Sequence, residues 1–295
     1  MELFFQQTIN GLGQGAIIVV FAIGFSFIFS NLGILNVAQG TFATWGAIVA
    51  YYLCVDAHLP IWLCAVVGAL AIGALGVAVD IICFAPLRHR STGLFAPLIS
   101  SIGAWIVLLN VAQIVIGANT NGFPSGAVPK LVIHVFGLYI TSMVAIDVAV
   151  AIVVAVVMGL LLNRTRFGAS VRAIGLDERT IAIAGINTRV VALSTAFLAA
   201  AMSGLAGVLS GLTDNVITYN FGESLLIVGF AAVVVGGVGS LGGCVLGGFA
   251  FGLIQVYSEQ YVSSAFSDAI TYSVLLLALI VRPRGLFGRT LEARA

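Results

Sequence analysis

The sequence predicts an all-α integral membrane protein, a polytopic bundle of about 8–9 transmembrane helices, some of them short or re-entrant. Three observations predict it. Of the 295 residues, 61% are apolar and only 8% are charged, where soluble domains average about 25% charged. Mean hydropathy is +1.17. The apolar residues gather in long runs, and a spanning helix needs about 20 of them, so the length allows about seven to ten spans. The 35 glycines fit the same class, because Gly is enriched in packed transmembrane helices.

The predicted spans are 9–30, 37–55, 61–85, 94–116, 139–162, 190–211, 224–241, 242–259 and 266–282. Segment 37–55 is short and opens on polar residues, which suits a broken or re-entrant helix. The seventh and eighth spans are also short and share the glycine-rich run Gly236–Gly248. MELFFQQTINGLGQG has no basic n-region, so no cleaved signal peptide is expected. Nothing marks a second domain, and 1–295 reads as one membrane unit.

The basic residues orient the bundle. Arg88 and Arg90 follow the third span, five arginines (Arg164, Arg166, Arg172, Arg179, Arg189) lie between the fifth and sixth, and Arg282, Arg284, Arg289 and Arg294 form the tail. An even number of spans separates each cluster from the next, so all three share one side. The positive-inside rule makes that side cytoplasmic, with the C-terminus cytoplasmic and the N-terminus outside. The outside loops are then 56–60, 117–138, 212–223 and 260–265; 117–138 has the Gly, Pro and Asn of an irregular loop.

Composition and motifs exclude several functions. Net charge is +1, so there is no bulk attraction to nucleic acid. Cys54, Cys64, Cys83 and Cys244 lie in apolar runs with no CxxC pair, and His58, His89 and His134 have no metal-ligand spacing; no metal site is expected. Gly237-Val238-Gly239-Ser240-Leu241-Gly242 matches GxGxxG, but two hydrophobic runs meeting at a turn is the wrong context for a dinucleotide. The sole lysine, Lys130, sits in an outside loop and there is no GxxxxGK[ST], so the chain has no ATPase site of its own. HExxH, GxSxG and paired carboxylates are likewise missing, and no cofactor or catalytic residue is assigned.

Polar residues in or near the spans are candidates for a solute path or for contacts between helices. Asn36, Gln39, Thr41 and Thr44 lead into the second span; Asn110 and Gln113 share a helical face near Ser100 and Ser101; Asp80 and Asp147 are the candidate intramembrane acids, each with an interfacial position as the alternative. Ala200 and Gly204, then Ser203, Gly207 and Gly211, sit four apart, as do Gly243 and Gly247, and Gly248 and Gly252. Small residues at this spacing let helices approach closely in lipid.

The loop 163–189, NRTRFGASVRAIGLDERTIAIAGINTR, concentrates the charge. A loop of this length inside a compact unit is usually functional or disordered, and its composition argues against disorder. Val171, Ile174, Ile181, Ala182 and Ile183 alternate with charges, which predicts short amphipathic helices at the membrane surface. Asp177-Glu178 suits a helix start, and Gly185 breaks the run.

With the following helix, this loop resembles the cytoplasmic coupling loop of the branched-chain amino acid ABC transporter permeases. The shared pattern here is Arg166, Gly168, Arg172, Ala173, Asp177, Gly185-Ile186-Asn187 and Arg189-Val190, then Gly204 to Gly207. The turn VVVGGVGSLGGCVLGGF at 233–249, the stretch from Asn10 to Ala47 and RPRGLFG at 282–288 are also similar to that family. One departure is Gln39, where members commonly carry His. The resemblance implies a permease subunit for branched-chain or similar small amino acids in the bacterial inner membrane. Related permeases import urea or short-chain amides. Implied partners are a sister permease, two cytoplasmic ATPases that use ATP and Mg, and a periplasmic substrate-binding protein. Arg166, Gly168, Arg172, Asp177, Glu178, Gly185 and Asn187 are the expected coupling residues, and Asn36, Gln39, Thr41, Asn110, Gln113 and Asp147 the expected path. A gradient-driven carrier built around Asp147 is the rival reading, and no intramembrane Lys or Arg is available to pair with that acid.

Overall fold

Apolar helices dominate the computed structural model, which describes residues 2–88, 95–124, 132–135, 138–174, 187–281 and 285–287. The helices are α1 (Glu2–Leu32), α2 (Gln39–Val55), α3 (Ile61–Val79), α4 (Ala85–Arg88), α5 (Phe95–Ile116), α6 (Ser142–Arg164), α7 (Arg166–Ile174), α8 (Thr188–Asp214), α9 (Gly222–Gly236), α10 (Leu241–Tyr261) and α11 (Ser267–Val281). A π-helical stretch, Asp80–Phe84, runs α3 into α4. Among the described residues, six helical segments are long and apolar enough to cross a membrane, and α2, α9 and α11 are shorter apolar helices.

Two expectations need correcting. The predicted loop 117–138 contains order: β1 (Val132–Val135) pairs antiparallel with β2 (Leu138–Thr141), Val132 facing Thr141. The fifth span therefore starts at Ser142 rather than 139. Asn121 also forms an isolated two-way backbone pairing with Ile217, at 3.0 and 2.7 Å.

At the centre stands α1, whose residues from Gly13 to Ile28 are almost all buried, against α6, α8, α9 and α10. Large apolar side chains on α3, α5 and α6 point outward, among them Trp62, Leu70, Val107, Ile114, Val153 and Leu160. Such an outward apolar face is what lipid requires. The predicted small-residue positions are where helices touch. A Cβ at Gly207 would fall on the Ala43 carbonyl of α2, and one at Gly46 on the Gly204 backbone. Gly248 and Gly252 meet α1 at Val19 and Gly15 in the same way.

The GxGxxG residues form the turn between α9 and α10, not a nucleotide loop after a strand. Gly237 and Gly239 take φ of +102° and +79°, values that favour glycine. Gly285–Phe287 closes the same end of the bundle: Leu286 N–H donates to Val235 O at 2.8 Å and Phe287 N–H to Gly236 O at 3.1 Å. The tail thereby satisfies carbonyls that the last turn of α9 would leave open.

Candidate functional site

The chain breaks its helical path between Leu32 and Gln39, and the break lies inside the bundle. Gln39 opens α2 beside Ala199 and Ser203 of α8. Ala199 is eleven residues into α8, about 16 Å along its axis at 1.5 Å per residue. Irregular backbone at that depth is tolerated only when protein groups satisfy it. Here they do. Val37 N–H donates to Ser101 Oγ at 3.2 Å, Ala38 N–H to Asn36 Oδ1 at 3.1 Å, and Gln39 N–H to Asn36 O at 3.2 Å.

Gln39 anchors the break. Its Nε2 donates to Ser203 Oγ at 2.7 Å and to Ala199 O at 2.8 Å, using both amide hydrogens. Asn36 Nδ2 reaches Gln39 Oε1 at 3.4 Å, and Thr41 Oγ1 donates to Ala38 O at 2.7 Å. Asn36, Gln39, Thr41, Thr44, Ser101 and Ser203 are all buried. The short helix α9 starts alongside: Gly222 N–H donates to Thr44 Oγ1 at 3.2 Å. Two helix N-termini thus lie side by side within the bundle, and helix N-termini carry partial positive charge. Next to the break is an apolar pocket of about 160 Å³, walled by Phe25, Leu35, Val37, Leu226, Ile227 and Phe230.

Of the predicted path residues, Asn36, Gln39 and Thr41 come together. Asn110 and Gln113 do share a face of α5, but that face is exposed, and Asn110 donates to its own helix at Ile106 O, 2.7 Å. Asp147 lies elsewhere, between α6 and α8: Thr213 Oγ1 donates to Asp147 Oδ2 at 2.9 Å, and Asp147 Oδ1 is buried with no hydrogen-bond partner among the described residues. Asp80 is buried too, and Arg88 pairs with it across the π-helical stretch. Sequence reasoning missed Ser203 as a partner of Gln39, because serine at small-residue spacing carries the same signal whether it packs or bonds. Among the described residues, no group of three His, Cys, Asp or Glu side chains can hold a metal ion.

The predicted coupling loop begins as the amphipathic helix α7. Val171 and Gly168 are buried, while Arg166 and Arg172 are exposed. Arg172 folds its guanidinium back to Leu162 O at the end of α6. A Cβ at Gly168 would run into the carbonyls of Leu161 and Leu162. Gly168 and Arg172 therefore fix α7 against the end of α6. Asn187 caps α8, its side chain accepting from Val190 N–H at 3.3 Å. Asp177, Glu178 and Gly185 lie outside the described residues.

Comparison with known proteins places this architecture. Residues 7–280 match the family model for the permease component of branched-chain amino acid transport systems. The high-affinity branched-chain amino acid transport system permease protein LivH of Escherichia coli (strain K12) is 31% identical, over 97% of this chain and 96% of that one. BraD of Pseudomonas aeruginosa, named for the same system, is 28% identical over the same shares. A probable LivH of Methanocaldococcus jannaschii is 24% identical over 93% and 91%. A solved structure, PsaBC from Streptococcus pneumoniae in complex with Fab, has a chain of similar fold, with a TM-score of 0.52, 12% identity and 94% of this chain covered. With the break, the paired short helices and the apolar shell in place, the chain belongs to the family of branched-chain amino acid transport permeases, the membrane-spanning permease subunits of ABC importers.

Proposed function

We propose that this chain carries branched-chain or similar small aliphatic amino acids across the bacterial inner membrane by alternating access, powered by separate ATPase subunits. The observation that supports the substrate class is the small apolar pocket beside the helix break. An amino acid presents an aliphatic side chain and a carboxylate. The pocket suits the first, and helix N-termini within a bundle suit the second. The cluster at Asn36, Gln39, Thr41 and Ser203 holds the break in shape, since its amides and hydroxyls bond one another. It acts by positioning the path rather than by offering free donors.

The partners in this reading are a sister permease, two cytoplasmic ATPases that use ATP and Mg, and a periplasmic substrate-binding protein. In this reading ATP is hydrolysed by the partner subunits, since this sequence has no GxxxxGK[ST] motif. Its arginine-rich end and C-terminus face the cytoplasm. ATPase closure pushes on α7, and the contacts of Gly168 and Arg172 with the end of α6 pass that push to the spans. Asp177, Glu178 and Gly185 complete the docking loop.

The test is reconstitution of the chain with candidate partner subunits in proteoliposomes. Uptake of leucine, isoleucine or valine that needs both ATP and the binding protein supports the reading. Uptake of urea or short amides instead would replace the substrate class and keep the machine.

A further inference from the structure

A groove of about 580 Å³ opens between α3, α6, α7 and α8 at the arginine-rich end of the bundle. Val77, Leu161, Leu193 and Phe197 of the spanning helices, with Phe167 of α7, form its apolar wall. Thr165 and Ser194 are its polar residues. Arg164 and Arg166 flank Thr165 in the chain, and Arg189 lies one helical turn before Leu193, on the same face of α8. All three arginines are exposed, and none forms an ion pair among the described residues. Arg172 differs, being turned onto Leu162 O.

An apolar slot that runs into the spans, with three exposed arginines beside its lining residues in the chain and no ion pair to them among the described residues, matches a molecule that is apolar along its length and anionic at one end. From this geometry we infer that the groove binds an anionic phospholipid of the adjoining leaflet, with an acyl chain along Leu161, Leu193 and Phe197 and its phosphate at Arg164, Arg166 and Arg189. A zwitterionic lipid fits the wall equally well but gains little from the arginines. Each basic residue near the surface is worth about five-fold in binding an anionic lipid. A peptide from a soluble partner fits less well, because Val77 and Phe197 belong to membrane-spanning helices. Since Phe167 of α7 forms part of the wall, a bound lipid brackets that helix against the bundle.

The test is independent of transport. The purified full chain is exposed to equal amounts of dioleoylphosphatidylglycerol and dioleoylphosphatidylcholine in detergent, and the lipid retained is measured by native mass spectrometry. Circular dichroism and gel filtration confirm that each variant is folded. The expected result is selective retention of the phosphatidylglycerol. Arg164→Gln and Arg189→Gln should each lower that preference about five-fold, and Ser194→Trp, which fills the groove, should lower retention of both lipids. Equal retention of the two lipids by the unmodified chain overturns the inference, as does an undiminished preference in both arginine variants. Displacement of phosphatidylglycerol by millimolar inorganic phosphate also overturns it, marking a free-anion site. Retention unaffected by Ser194→Trp overturns it too, leaving the groove to a protein partner.

Discussion

Gln39 and Ser203 are joined by a 2.7 Å hydrogen bond between residues 164 positions apart, both fully buried. The contact ties the first turn of α2 to the middle of α8, and the second hydrogen of the same amide goes to Ala199 O. One side chain therefore anchors the start of α2 to α8. Removing that side chain takes the donor from buried Ser203 Oγ and the acceptor from buried Asn36 Nδ2 at once.

Gln39→Leu should thus destabilise the protein by about 2 kcal/mol, the usual cost of leaving buried polar groups unpaired. Uptake should fall with it, because the break beside the apolar pocket loses its anchor. Thermal unfolding in detergent gives the first number and proteoliposome uptake the second. Ser203→Ala should cost less, since Ala199 still accepts from Gln39. A stability unchanged in Gln39→Leu would refute the anchoring role.

The contact of α2 with α8 should tolerate no side chain at Gly207. A methyl group there meets the Ala43 carbonyl, a backbone atom that moves only with the helix. Gly207→Ala is expected to cost about 1–3 kcal/mol as overpacking. Gly103 offers the control, because nothing stands near its added Cβ, and Gly103→Ala should be close to neutral by the same melting assay.

Gly168 and Arg172 should separate folding from coupling. Gly168→Ala pushes α7 away from the Leu161 and Leu162 carbonyls, and Arg172→Ala releases α7 from Leu162 O. Neither residue lies in the core of the spans. The folded bundle should persist while ATP hydrolysis by the partner subunits continues and uptake drops several-fold. Parallel assays of hydrolysis and uptake check this, and an unchanged ratio of the two would contradict the coupling role of α7.

Asp80, fully buried, pairs with the partly exposed Arg88, and Asp80 Oδ2 and Arg88 Nε have no hydrogen-bond partner among the described residues. Losing one charge strands the other, so Arg88→Met alone should cost about 3–5 kcal/mol. The double variant Asp80→Asn with Arg88→Met should recover much of that loss. A double variant no better than the single one would show that the pair contributes through shape rather than charge.

The spans were legible in the sequence because burial in lipid leaves a long apolar run, and 61–85, 94–116 and 190–211 lie within a few residues of the helical segments observed. The break was legible in part: Asn36 and Gln39 are polar where a span ought to begin. The partners of that break were not, since Ser203 and Ser101 are distant in sequence and spacing does not reveal them. Asn110 and Gln113 show the same limit from the other side. Their three-residue spacing fixes a shared face but not the direction it points, and the face turns outward. The hairpin at Val132–Thr141 escaped because two four-residue strands beside glycine and proline look like any loop.

The proposed function requires that this bundle move its substrate only when a separate motor drives it. The direct measurement is uptake of radiolabelled leucine into proteoliposomes holding the chain and its partner subunits, with wild type and Asp147→Asn compared. Asp147→Asn keeps an oxygen for the Thr213 hydroxyl while removing the charge. The expected result is uptake that requires ATP, survives collapse of the ion gradients and persists in Asp147→Asn. Leucine uptake by the chain alone, driven by an ion gradient and abolished in Asp147→Asn, would contradict it.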